Sequence, residues 1–499
     1  MTDQLAARAF DVPPARAGGR IDRVRNRKLR QLRLKGYDPF PEVRLPSRLL
    51  AAEVYALHDP RELAPGEHSA WRHTVAGRLV GRRKHRHATF IDLRDQSGVI
   101  ELCAKPDRLE DAQCAQLRDA DMGDIICVEG TVYVTDNRQL TLSITSSQLL
   151  AKALRSPPVR QSAPRDGGQR ALALLADETA RDILKARSTL TGAIREWMAA
   201  HEFVAVEAPT LQPLADAADC RSLTVASADA PGWSAALRAS SRSYLRRCLV
   251  GGFERVYELG RCFAADRAGA RAPERTMLEW AVAYTDHTEA ARQAEELILH
   301  AAASVDSRLR APSHERAIDL SGPWRTMTVR EGIEERCRLD ILTADTCELA
   351  RRCSSRAGGE GDGDNWDSLV NALYEDLVEP ELIAPTIVFD FPLSAHALAR
   401  RHPVHDRLAS SFRVVIGGVE VARGDSELND PHEQWQRLDA PGKGARTPAP
   451  RDEEVRLLEY GLCPAASAQL HVDRLLGMLG EGGSVRGAVT PRHRPPLAG

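Results

Sequence analysis

The residues whose types and spacing suit chemistry most directly are cations set beside an aromatic. Arg82, Arg83, Lys84 and Arg86 lie just ahead of Phe90. An exposed ring can stack on a base while neighbouring cations track the phosphates, which is how single-stranded nucleic acid is commonly held. From these residues alone a second account stays open, in which Phe90 is a core strand residue and the cations are a solvated loop. A second basic group runs from Arg20 to Lys35, RIDRVRNRKLRQLRLK, with eight Lys or Arg against one Asp. Ile21, Val24, Leu29 and Leu32 give it an approximate apolar stripe and Gly36 ends it, so it reads as a helix with either a polyanion-contacting or a merely solvated face. The ten cysteines contain no C-x-x-C pair and no regular framework, which argues against a zinc site and against a secreted disulfide scaffold.

These groups need elements to position them. A chain of 499 residues is too long for one core and predicts two or three domains. Its net charge of −2 makes no global claim on nucleic acid or membrane, so any polyanion site is local. No apolar run reaches membrane-span length and the N-terminus lacks a signal-peptide core, so a cytoplasmic location without membrane contact is the expectation. Residues 1–19 read as a disordered tail and 20–70 as the basic helix and a connection. Over 71–155 the pattern shifts to short alternating runs, among them HTVAGRLVGRR, ATFIDLRDQSG and GDIICVEGTVYVT, whose number and turn signals suit a small five-stranded barrel. A Pro- and Gly-rich linker follows at 156–176, then a larger domain at 177–492 and a tail at 493–499. The larger domain opens on an amphipathic helix, ETARDILKARSTLTGAIREWMAAH. FVAVEAPTLQP, SAALRAS, RVYELGRCF, TMLEWAVAYT, TIVFDFP and FRVVIGGVEVARG each read as a strand, ARQAEELILHAAASV as a helix, Ser354 to Asn365 as a flexible loop, and AQLHVDRLLGML as a strand running into a helix.

In this order the segments resemble the lysyl-tRNA synthetases from about residue 20 to about residue 491. VRNRKLRQLRLKGYDPFP, GDIICVEGTV with SSQLLAKALR, LVGGFERVYELGRCF, TMLEWAVAYTD, SELNDPHEQ and LEYGLCP carry the match. The resemblance implies an α+β protein: an N-terminal OB-fold β-barrel that binds an anticodon, then a class II aminoacyl-tRNA synthetase catalytic domain with an antiparallel sheet flanked by helices. It implies ATP and magnesium ions as cofactors, tRNA and lysine or another amino acid as partners, and a homodimer joined through Pro209 and the helix before it. The implied reaction forms lysyl-adenylate and then passes the lysyl group to tRNA. Neither step needs a protein nucleophile, so catalysis rests on positioning and on cations beside the phosphates. By resemblance Glu420 and Glu427 hold magnesium, an ion that prefers such hard oxygen ligands. Arg474 pairs with the terminal phosphate, Glu279 and Asn429 line the amino-acid pocket, and Phe90 stacks in the anticodon, where the family's Gln and Glu are exchanged here as Glu101 and Gln139, one amide and one carboxylate that can still meet a uridine's pairing edge.

Several positions depart from the family pattern. Where motif 2 normally reads Phe-Arg-x-Glu, this chain has Phe263-Ala264-Ala265-Asp266, so Ala264 stands where an arginine grips the α-phosphate. Losing such a stabiliser typically costs roughly 10²–10³ in rate; Arg267 or Arg271 offers a substitute cation. Arg275 replaces the phenylalanine that stacks on adenine, a role a guanidinium plane can partly fill. Arg242 replaces a glutamate that holds the substrate amine, and is expected to pair with Glu279 and fill the pocket. Ser467, Gln469 and His471 replace motif 3 glycines and crowd the nucleotide, and Asp216-Ala217-Ala218 replaces a Gly-Gly-Ala loop. Two outcomes remain open: a synthetase that is weakened or altered in substrate, or a non-catalytic homologue that binds tRNA or a protein.

Overall fold

The computed structural model describes residues 22–85, 88–158, 170–212, 223–226, 229, 233–264, 273–305, 318–353, 365–439 and 449–479. The N-terminal tail, Arg267 and Arg271, the Asp216 to Ala218 loop, residues 354–364 and the C-terminal tail lie outside these ranges. Two compact units result, 1–163 and 164–499.

In the first unit helix α1 (Arg23–Leu34) starts where Asp22 accepts a hydrogen bond from the Val24 amide, and it stops before Gly36 at φ +80°. Its cations are not all turned to solvent. Buried Arg25 donates to the carbonyls of Met122, Ala153 and Arg155 and to Ser156 Oγ, while Lys28 meets Asp121 at 2.6 Å. Part of the basic stripe therefore docks the helix onto the barrel. After β1 (Arg48–Leu49) and α2 (Ala51–Leu57), the barrel comprises β2 (His68–Lys84), β3 (Thr89–Arg94), β4 (Val99–Ala104), β5 (Ile125–Val134) and β6 (Leu140–Ala151), with α3 (Asp111–Asp119) between β4 and β5. Strand order is β1-β2-β3-β4-β6-β5, and β2 also pairs with β5, which closes the sheet. Alternation places Leu79, Ile91, Leu93, Ile100, Leu102 and Ile126 inside, each burial contributing roughly 1.5–3 kcal/mol before entropy. Asp124, with no exposed surface, is bridged by Lys152 at 2.7 Å.

The second unit begins with α4 (Arg170–Ala176), so the expected linker ends in a helix, and continues with α5 (Glu178–Ala200). Helix α5 buries Ala186, Leu190, Ala193, Ile194, Trp197 and Met198, the spacing of one helical face. Strands β7 (Val204–Ala205) and β8 (Leu211–Gln212) are all that forms of the strand expected in FVAVEAPTLQP. Pro209 interrupts that run because it has no amide proton to give a ladder. A small sheet, β8-β10-β9, adds β9 (Thr224–Ala226) and β10 (Ser234–Leu237).

Helix α6 (Arg242–Val250) leads to β11 (Arg255–Phe263) and β12 (Glu274–Ala283), followed by α7 (His287–Ser304). Then come β13 (Arg325–Thr328), α8 (Val329–Cys337), α9 (Thr346–Arg352), α10 (Trp366–Leu373) and β14 (Thr386–Phe389). The unit closes with β15 (Ser411–Ile416), β16 (Val419–Ser426), α11 (Pro431–Asp439), α12 (Ala449–Glu459), β17 (Ala465–His471) and α13 (Val472–Leu479). FRVVIGGVEVARG is two strands, not one. Gly417 and Gly418 at φ +61° and +72° turn β15 back into β16, a conformation that side-chain-bearing residues resist. The main sheet has eight strands, β13-β14-β15-β16-β17-β12-β11-β7, antiparallel except for the outer pairs β13–β14 and β11–β7. Helices α5, α7 and α13 cover one face, over Leu278, Trp280, Phe412, Val414, Ala466, Ala468 and Leu470. The opposite face of the same strands carries the polar residues described next.

Candidate active site

Strand alternation builds this site. On β17, Ala466, Ala468 and Leu470 enter the core, so Ser467, Gln469 and His471 face the other way. Pairing aligns Gln469 with Glu279 of β12 on one side and with Arg423 of β16 on the other, and Arg423 in turn opposes Arg413 of β15. A row of carboxylate, amide and two guanidiniums thus crosses four strands.

Each implied site carboxylate is already engaged. Glu420 lies 3.4 Å from Arg413 Nε, 3.4 Å from Arg474 Nη1, 3.5 Å from His471 Nε2 and 3.9 Å from Arg423 Nε. Burial favours its neutral form, but Arg423, His471 and Arg413 outweigh that and hold the carboxyl well below the usual range. His471 is itself pushed down to about 4, chiefly by burial and against the pull of Glu420. Glu427 is contacted by Arg242 Nε at 2.9 Å, by Arg246 Nε at 3.3 Å and by the Ser467 hydroxyl. Glu279 accepts from Ser240 Oγ at 2.8 Å and from the amide and hydroxyl of Ser241. The Gln469 side-chain amide satisfies both its neighbours, donating to Glu279 Oε1 at 3.0 Å and accepting from Arg423 Nη2 at 2.8 Å. The three residues standing at glycine positions therefore do more than crowd: Ser467 binds Glu427, Gln469 binds Glu279 and His471 binds Glu420.

Arg242 does not pair with Glu279. It opens α6, and its guanidinium forks onto Asp425, with Nη1 at 3.0 Å and Nη2 also in contact, while Nε reaches Glu427. Two buried carboxylates on the end of β16 outbid the one on β12, whose oxygens the Ser240 and Ser241 donors already fill. A bidentate fork matches carboxylate geometry and is among the strongest charge-assisted contacts. Asp425 is held at about 2: burial raises it, but Arg242 and His396 prevail. The same two acids raise Arg242 further above its already high value, against the effect of burial.

Other expected residues fall on or beside this face. Ala264 is buried at the end of β11, its amide donating to the Pro273 carbonyl at 2.8 Å. Arg275 on β12 opposes Cys262 and points to the same side as Glu279. Arg474, on the first turn of α13, also donates to the Glu420 carbonyl. Asn429 Nδ2 donates to the Leu462 carbonyl at 3.3 Å. Asp425, Arg423, Arg413 and Arg246 were not singled out from sequence. The alternation of Arg423, Asp425 and Glu427 was the available signal, since every second residue of a strand shares a face.

In the barrel, Phe90 is half-buried and meets His85 edge-on at 5.6 Å. Phe90 and Glu101 share the outer face through the β3–β4 register. Glu101 is buried, contacted by Arg83 and by Thr141 Oγ1 at 2.8 Å. Gln139 is exposed in the turn before β6, where its amide donates to Thr135 Oγ1 at 3.1 Å.

Magnesium prefers hard oxygen ligands such as paired carboxylates. Glu420 and Glu427 would hold such an ion: guanidiniums lie beside both, but those on Glu420 stand 3.4 Å or more away and Glu427 Oε2 is a buried oxygen without a hydrogen-bond partner. Among the described residues no group of three or more His, Cys, Asp or Glu is arranged to hold a metal ion.

Comparison with known proteins adds to the geometry. Residues 166–490 match the model of tRNA synthetases class II (D, K and N), and residues 73–150 match the OB-fold nucleic acid binding domain. A lysine–tRNA ligase of Carboxydothermus hydrogenoformans is 32% identical over 95% of this chain and 98% of its own length. That of Pasteurella multocida is 34% identical over 93% and 95%, and that of Dehalococcoides mccartyi 30% over 92% and 94%. This chain belongs to the lysine–tRNA ligase family of class II synthetases. The family assignment accounts for the two-unit order, since an OB-fold precedes a class II sheet. Class II tRNA synthetases use ATP and Mg²⁺ in general. Among the described residues no helix is long and apolar enough to cross a membrane.

Proposed function

We propose that this chain is a tRNA-binding homodimer of the lysine–tRNA ligase type in which activation of lysine is weakened or lost. One observation carries the reading: Arg242 is bonded to both Asp425 and Glu427. Arg242 stands where, by resemblance, a glutamate holds the substrate amine, so a fixed cation faces an incoming ammonium, and like charges facing each other in a partly desolvated pocket cost several kcal/mol. Ala264 removes a second contribution, since a methyl group offers no charge to the inner phosphate.

What remains for the chain's own residues is binding and orientation. Arg474 and Arg275 lie on the site face with cationic groups suited to phosphate and base, and Glu279 is held rigid by Ser240, Ser241 and Gln469. Phe90 supplies a stacking ring on the barrel, and Arg83 a neighbouring cation, for an anticodon. Dimer formation through the region around Pro209 is supported by exposed Val204, Leu211 and Trp233, apolar side chains that gain from being covered.

The test is amino-acid-dependent ATP–pyrophosphate exchange, run beside the Pasteurella multocida lysine–tRNA ligase. Lysine-dependent exchange is expected to be lower by at least about 10²-fold, with tRNA binding retained in a filter assay. Exchange with lysine at the relative's rate refutes the proposal. A second reading, activation of an amino acid with an uncharged side chain, is favoured by the engagement of Glu279 with Ser240 and Ser241 and of Asp425 with Arg242. Exchange with such an amino acid and not with lysine supports it.

A further inference from the structure

We propose that His58 and His73 form a two-imidazole binding site for a copper, nickel or zinc ion in the barrel unit. The site needs nothing from the second unit.

Two ring nitrogens meet here from separate elements. His58 Nε2 lies 2.7 Å from His73 Nε2, with the rings tilted at 73° and their centroids 4.9 Å apart. Without an ion, one Nε2–H donates to the lone pair of the other ring, a single contact between neutral groups. Two imidazoles bound side by side to one ion, with bonds of about 2.0–2.1 Å and an angle of roughly 90–109° between them, hold their ring centres about 4.5–5.2 Å apart. The observed 4.9 Å falls within that span, so each ring has only to turn in place to aim its lone pair at the ion. The ring that carries its proton on Nε2 moves it to Nδ1, with no change of charge.

Both rings are carried on backbone that is tied down. His73 lies on β2 opposite Gly130 of β5, and the next two residues, Thr74 and Val75, pair with β1. His58 follows the last residue of α2, whose Ala51 and Val54 are buried in the barrel core. The first amides of α2 are held by Asp95 at 2.8 Å and Ser97 at 3.0 Å. Ligands fixed in advance lose little freedom on binding. Both rings are half-buried and the adjoining Leu57 and Trp71 are exposed, so an ion reaches the pair from solvent. Burial lowers both imidazoles from their ordinary value, and His58 lowers His73 further, which leaves them neutral and able to ligate at neutral pH. Among the described residues no third His, Cys, Asp or Glu completes a metal-holding group, so water fills the remaining positions. Imidazole suits copper, nickel and zinc, whereas magnesium and calcium take oxygen ligands.

The probe is copper(II) iminodiacetate, which leaves positions open for a pair of imidazoles, titrated into the full-length protein at neutral pH and read by electron paramagnetic resonance. The wild-type spectrum is expected to show two equatorial imidazole nitrogens. Affinity is expected to be at least about tenfold higher than in His58→Gln or His73→Gln, because the second imidazole binds intramolecularly. Circular dichroism confirms that the variants fold, and the wild-type spectrum tests the site by itself if one does not. Absence of binding, a spectrum with a single imidazole nitrogen, or equal affinity in the folded variants each overturns the proposal. Weakening in one variant only assigns the copper to a lone histidine and overturns it as well.

Discussion

Replacing Arg242 by alanine tests the site directly, because the structure says what is left behind. Asp425 and Glu427, with 6% and 0% side-chain exposure, lose a fork and a single contact. Removing one partner of a buried ion pair typically costs about 3–5 kcal/mol. The lower end is expected, since Arg246 stays on Glu427 and His396 Nδ1 lies 3.6 Å from Asp425. For a unit of this size a kcal/mol moves the melting temperature by roughly 1.5 °C, so Arg242→Ala should melt about 4–6 °C lower. The hollow it opens is acidic and shaped for a cation. Millimolar methylguanidine or lysine should restore part of the loss, by about 2.7 kcal/mol at a hundredfold excess over the dissociation constant, whereas norleucine should restore none. Differential scanning calorimetry at neutral pH reads both effects. The reasoning is refuted if the variant melts with the wild type, or if norleucine rescues it as well as lysine does.

His471 sits near pKa 4 in the fold against about 6.5 in an unfolded chain. A depressed value means the fold keeps its full stability above pH 6.5 and loses it as pH falls toward 4, by up to about 3 kcal/mol; His471→Gln should flatten that acid slope in melting measured between pH 7 and 4. Gly418→Ala should destabilise the second unit by about 1–3 kcal/mol, because its φ is +72° and an added Cβ would stand 2.8 Å from the Pro380 carbonyl; an unchanged melting temperature would contradict the hairpin geometry. In the barrel, Phe90→Ala should weaken binding of an anticodon-loop oligonucleotide by about 1–3 kcal/mol, the worth of one stacked base, as read by fluorescence anisotropy. Equal binding by the variant would remove Phe90 from that surface.

The sequence by itself determined the architecture. Alternating runs closed into the barrel, α5 buries the stripe its spacing announced, and ordered motifs pointed to one family because these signals are local and periodic. It also located the substituted positions, Ala264, Arg242, Ser467, Gln469 and His471, since substitution is visible residue by residue. What tertiary structure decided is pairing. From sequence Arg242 had Glu279 as its partner, and only the folded sheet, which brings Asp425 and Glu427 beside it while Ser240 and Ser241 fill Glu279, directed it to β16. Likewise Glu101 looked available in the barrel until Arg83 and Thr141 were found on it. A charged side chain chooses its partner by distance and by which lone pairs are still open, and both are properties of the folded neighbourhood.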